Sequence, residues 1–220
     1  MEKKESADKL FSDIKPPSKN KLKEIAFTLL KLTAGICLLT FVYGVSVSFS
    51  DELVKLAPAV VRSFVWGMAG FLGIYLFIYE PAVLFKKGQR ILEVIFRFFA
   101  PLVRVAPYAL PAYTFLICFV YLIWSSFVDI DNYLSVFLFS IGFSAALHLV
   151  FCAKTLRSKQ GDSLKSNYIF GFSCIYILNA LSLAGFFSLA FEDFSFVNFF
   201  NSSYQIAKGI LGRVFSQLFL

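Results

Sequence analysis

Few side chains in this chain could carry chemistry, and four of them fall inside apolar stretches: Glu80, His148, Cys174 and Asn179. A carboxyl group and an imidazole held away from water could relay a proton or contribute to a metal site. The same pair could instead bond to each other and stitch two helices together. Cys152 follows His148 by four residues, one helical turn along the same face. Other sources of catalysis are scarce. His148 is the only histidine, whereas a zinc site of familiar composition draws three or four ligands from His, Cys and acidic residues. There is no G-x-x-x-x-G-K-[ST], no G-x-S-x-G and no Gly-rich dinucleotide loop, and a Ser/His/Asp triad would need an Asp buried beside His148. Cys37, Cys118, Cys152 and Cys174 form no C-x-x-C pair and read as small packing residues, so no disulfide and no metal cluster is expected. Catalysis is not expected, and no cofactor is assigned.

The elements that must position these residues are membrane spans. Of 220 residues, 58% are hydrophobic, 29 are Phe and only 16% are charged, so lipid must be the main solvent. Apolar stretches at 25–49, 64–85, 109–128, 133–153 and 168–191 each supply roughly 20 residues, enough to cross a hydrocarbon core of about 30 Å. Inside lipid the backbone must satisfy its own hydrogen bonds, so the stretches are helices. The fold class is therefore all-α: a polytopic membrane protein with a five-helix membrane domain over 25–193. Glu80, His148 and Cys174 each lie about six residues from the same boundary, which at 1.5 Å per residue puts all three about 9 Å deep in one layer. Asn179 lies about one and a half turns deeper.

Charge sets the orientation. With the N-terminus in the cytoplasm, the inner side receives every Lys and Arg except Lys55, Arg62, Lys208 and Arg213, out of 21 in all. That asymmetry predicts the N-terminus inside and the C-terminus outside a bacterial inner (plasma) membrane. Residues 1–24, with Pro16, Pro17 and a run of lysines, read as a basic cytoplasmic tail near anionic headgroups. The helix after them is too long for the core of a cleaved signal, so an uncleaved signal-anchor is expected. Phe11 is the only aromatic in the tail, and no nucleic-acid partner is expected.

Two segments are amphipathic. Over about 89–104, Arg90, Glu93, Arg97 and Arg104 recur on one side of a helix whose other sides are apolar, which predicts a helix in the cytoplasmic interface, bent or ended by Pro101. It suits either lipid headgroups or a partner protein. Over 194–220, Asn201, Gln205, Lys208, Gly212 and Ser216 form a polar stripe opposite Phe199, Ile206, Ile210, Leu211 and Phe215, which predicts a helix along the outer surface. Asn201, Ser202 and Ser203 form an N-x-S acceptor pattern there. In the second span, Gly67, Gly70 and Gly73 place small residues along one stripe where a neighbouring helix could approach.

The segment VAPYALPAYTFL at 105–116, with YEP at 79–81, HLVF at 148–151, LRSKQGD at 156–162 and IYILN at 175–179, resembles a bacterial branch of the site-2-protease-like membrane zinc metallopeptidases, over roughly 78–200. Such enzymes carry an H-E-x-x-H helix in which two His hold zinc and the Glu activates water. At the corresponding place this chain reads QRILE, so Gln89 and Glu93 stand for the two His and Arg90 for the Glu. The resemblance thus implies a pseudoenzyme without zinc ligands or base. The expectation is a non-catalytic scaffold or interaction subunit, with the lipid bilayer and another membrane protein as partners. The alternative is a transporter or channel component that uses the Glu80 and His148 layer, while an active peptidase would need an unconventional site.

Overall fold

The computed structural model describes residues 19–77, 82–97, 110–127, 132–158 and 165–219. Glu80, Pro101, Arg104 and most of the N-terminal tail lie outside them. Among the described residues every regular element is a helix: α1 (Lys19–Val54), α2 (Pro58–Phe77), α3 (Ala82–Ile95), α4 (Ala112–Ser125), α5 (Leu134–Ser158), α6 (Lys165–Ala190) and α7 (Phe196–Phe219). Within α1, α2, α5 and α6, the segments Ala26–Val54, Pro58–Phe77, Leu134–Arg157 and Tyr168–Ala190 are long and apolar enough to cross a membrane. The 14 residues of α4 make a shorter apolar helix. The chain is a multi-pass, all-helical membrane protein. Large apolar side chains left bare by the bundle, such as Trp66 at 64% and Phe77 at 86% exposure, are what a lipid-solvated surface requires.

Several boundaries differ from the pattern reading. The second span begins at Pro58 rather than near 64, because a proline at the first helical position gives up only an N–H that would have no helical partner. Its described part reaches Phe77, and the next described helix starts at Ala82; residues 78–81 of the expected 64–85 span lie outside the described residues. The amphipathic helix already begins at Ala82 and runs to Ile95, while residues 98–104 of the expected 89–104 segment lie outside the described residues.

The helix α5 is central: 56% of its apolar window is buried, against 33% or less in α1, α2 and α6. It packs against α2, α4 and α6, and also touches α3. Its contact with α2 is a close crossing. A Cβ on Gly67 would collide with the Phe139 carbonyl oxygen, and one on Gly142 with the Phe64 carbonyl oxygen, so each glycine admits the other helix's backbone. Gly70 faces the Phe139 ring, while Gly73 meets nothing, so the small-residue stripe is used over two of its three positions.

Contacts along each pair give the directions. On α2 and α5, Phe71 meets Phe143 and Tyr75 meets Phe151, so the two helices are parallel. On α1 and α6, Gly35 adjoins Ile169 and Phe170 while Phe49 meets Phe187, again parallel. On α4 and α5, Thr114 pairs with Ser144 and Tyr121 with Phe137, hence antiparallel. Parallel partners that are not consecutive fit a chain that passes up and down through one layer.

The last helix departs from expectation. Rather than lying flat along the outer surface, α7 folds back antiparallel to α1, with Ser195 beside Glu52, Phe199 beside Phe49, and Ser203 and Ala207 beside Gly44. The physical reason is shape. Phe199, Ser203 and Ala207 form one buried face, and at Gly44 an added Cβ would come within 2.6 Å of the Ser203 carbonyl oxygen. The acceptor tripeptide at 201–203 is therefore helical, and the Ser203 hydroxyl donates to the Phe199 carbonyl at 2.7 Å.

Gly67→Ala and Gly142→Ala should each lower the thermal midpoint in detergent, by about 1–3 kcal/mol of stability, because the α2 and α5 backbones must separate. Gly73→Ala, whose Cβ has open space, should change little. Equal midpoints for Gly67→Ala and Gly73→Ala would show that the crossing is not tight.

Candidate functional site

The expected polar layer includes a buried His148 on α5 and a buried Asn179 on α6. His148 is buried, with the Cys152 Sγ 3.4 Å from its Nε2 and the Phe85 ring of α3 at 5.9 Å between centroids. The helical periodicity that places Cys152 above His148 is that of the sequence pattern. Asn179 of α6 is buried, and its Nδ2 donates to the Ile175 carbonyl at 2.8 Å. It lines a cleft of about 210 Å³ between α1, α2, α5 and α6, where Ala145 and Leu149 supply the α5 wall and Ser46 bonds Tyr176 at 2.8 Å. Cys174, half-buried, lies five residues from Asn179, a rotation of about 140°, and so points elsewhere. The structure thus brings His148 beside Cys152, while Asn179 lines the cleft and Glu80 lies outside the described residues.

Among the described residues, no three His, Cys, Asp or Glu side chains converge as metal ligands would. A buried hydroxyl pair, Thr114 with Ser144 at 2.9 Å, joins α4 to α5 in the manner of polar contacts between membrane helices.

The amphipathic helix α3 has three sides. Phe85, Gly88 and Leu92 face the bundle, and the Tyr113 hydroxyl of α4 donates to the Leu84 carbonyl at 2.9 Å with its ring over Gly88. Ile91 and Ile95 are exposed on a second side. Lys86, Arg90, Glu93 and Arg97 are exposed on the third, as the spacing of Arg90, Glu93 and Arg97 predicts; Arg104 falls outside the described residues.

One functional position escaped the sequence reading. Glu52 is 4% exposed, the most buried acid among the described residues, and lies where α1 meets the turn before α7. Its carboxylate pairs with Lys55 and accepts the Ser195 N–H at 3.1 Å. The Ser195 hydroxyl in turn accepts the Asn198 N–H at 3.2 Å, an N-cap for α7. A carboxylate at the positive end of α7 is electrostatically well placed. The spacing Glu52 to Lys55 is visible in sequence, but nothing there indicates that Ser195 arrives from 143 residues away.

No family model, curated protein or solved structure matches this chain.

Glu52→Ala should cost about 2 kcal/mol, since it leaves the start of α7 without its carboxylate partner. Lys55→Ala, whose side chain is 47% exposed, should cost less than about 1 kcal/mol. Thermal denaturation in lipid nanodiscs would compare them, and equal losses would refute a specific role for Glu52 at α7.

Proposed function

We propose that this protein is a non-catalytic scaffold or interaction subunit of a bacterial inner membrane. It fits a degenerate relative of the site-2-protease-like peptidases that holds membrane segments without cutting them. The observation that carries this reading is α3. At the place where the peptidase resemblance locates the zinc helix, this chain puts Gln89, Arg90 and Glu93, and the helix turns Lys86, Arg90 and Arg97 outward. Cations at that position repel a metal ion and attract anionic headgroups or an acidic partner surface. The helix is also latched to α4 through Tyr113, so the cations are held at a constant height on the bundle.

In the proposed topology α1 starts in the cytoplasm, α3 lies along the cytoplasmic interface, and α4 is the third crossing despite its length. The alternation of directions makes α1, α2, α4, α5, α6 and α7 six consecutive passes. That revises the expected outer location of the C-terminus, because α7 descends beside α1. It also strengthens the charge asymmetry: Arg213 moves to the cytoplasmic end, and Lys55 and Arg62 remain as the outer cations of the connection between α1 and α2.

Purified protein should contain far less than one zinc per chain by elemental analysis. One zinc per chain, lost in His148→Ala, would overturn the non-catalytic reading. A fluorescent protein fused after Leu220 should lie in the cytoplasm, protected from protease added outside spheroplasts. Its digestion there would refute the six-pass topology.

A further inference from the structure

We propose that the outward face of α7 is a docking surface for a transmembrane helix of another protein that carries an Asp or Glu near the middle of the bilayer. The inference rests on the six-pass reading above, in which α7 crosses beside α1.

The geometry of α7 defines the face. Phe199, Ser203 and Ala207 are buried against α1. At 100° per residue, Asn201, Gln205, Lys208 and Gly212 fall on the opposite side, and all four are exposed. The start of α7 is level with the aromatic layer in which Phe49 meets Phe64, Phe187, Phe194 and Phe199, near the outer end of the bundle. Lys208 lies 12 residues beyond Phe196, about 18 Å further in, which is near the middle of a hydrocarbon core of about 30 Å.

An ammonium group facing hydrocarbon at that depth needs a counter-charge, and no acid among the described residues supplies one. Within α7 there is no acid. Glu52, Glu192 and Asp193 are all at its outer end, and Glu52 already pairs with Lys55 and the Ser195 N–H. Among the described residues Lys208 makes no ion pair. Arg213 differs, because five residues further along it can reach the inner headgroups, and its Nε donates to the Gly209 carbonyl at 3.3 Å.

Charge complementarity therefore selects the occupant. A second copy offering the same face would set Lys208 against Lys208, whereas a helix with a carboxylate at this level would neutralise it. Gln205 and Asn201, each both donor and acceptor, would bond to the same partner one and two turns outward. The open space beside Gly209 and Gly212 lets that partner approach closely.

The test uses the full chain with a fluorescent protein after Leu220, reconstituted in lipid vesicles with acceptor-labelled, leucine-rich transmembrane peptides that differ only at the central residue, Glu or Leu. Energy transfer should report binding of the Glu peptide about tenfold or more tighter than the Leu peptide. Lys208→Leu should abolish that preference and Lys208→Arg should keep it, both with an unchanged thermal midpoint. Equal binding of the two peptides would overturn the proposal. So would disulfide cross-linking of two copies through Gln205→Cys, in a background lacking the native cysteines, because a second copy would then occupy the face. Labelling of that same cysteine by a membrane-impermeant thiol reagent as fast as an exposed loop position would overturn it in favour of a water-lined face. An outer location of the fused reporter would instead remove the six-pass reading on which the inference rests, whatever the peptides do.

Discussion

Where α2 crosses α5, the peptide backbones themselves are the contact surface, since Gly67 and Gly142 each leave room for a carbonyl group of the other helix. In lipid the helices gain little from hiding apolar surface, because acyl chains solvate Leu and Phe as well as a neighbouring helix does. Association depends instead on how closely backbones approach and how completely side chains interlock around them. The crossing draws α2 onto the most buried helix of the bundle, and it sets the level at which Phe64, Phe71 and Phe143 meet their partners. A similar approach at Gly44 seats α7 on α1.

Two aromatic clusters extend from these contacts. Toward one end, Phe49 has the rings of Phe64, Phe187, Phe194 and Phe199 around it at 5.7–6.3 Å, so a single side chain ties together α1, α2, α6, α7 and the turn before α7. Toward the other, Phe151 of α5 meets Phe71 and Tyr75 of α2 and stacks on Phe85 of α3 at 5.3 Å. Edge-to-face and offset geometries of this kind add about 0.5–1.5 kcal/mol per pair beyond the burial of area. The abundance of Phe thus serves two roles, lipid solvation outside and interhelical locking inside.

Polar groups follow the same division. Those inside the bundle include the pairs Thr114 with Ser144, Ser46 with Tyr176, and His148 with Cys152. Those outside are arranged along α3 and α7, the two helices with the strongest amphipathic character in sequence. Each uses one face to hold the bundle and leaves a cationic face outward, α3 through Tyr113 and α7 through Glu52 and Gly44.

Much of this was legible in the residues. A run of about 20 apolar side chains can only be a helix in lipid, so α1, α2, α5 and α6 follow from composition and length, and the exposed row of Arg90, Glu93 and Arg97 follows from the 3.6-residue repeat. Boundaries were less clear at 64–85, where an apolar run continues into α3 and periodicity alone does not separate a span from the helix that follows it. The grouping of His148 with Asn179 rests on depth alone. Depth along a helix can be counted from a boundary, but the direction in which each helix turns its faces depends on its neighbours. Likewise the polar stripe of α7 was visible, yet its location was not, because an amphipathic helix fits the membrane surface or the flank of another helix equally well in sequence. The choice was made by contacts between distant segments, Ser203 on Gly44 and Ser195 on Glu52, whose energies arise only when the chain has folded.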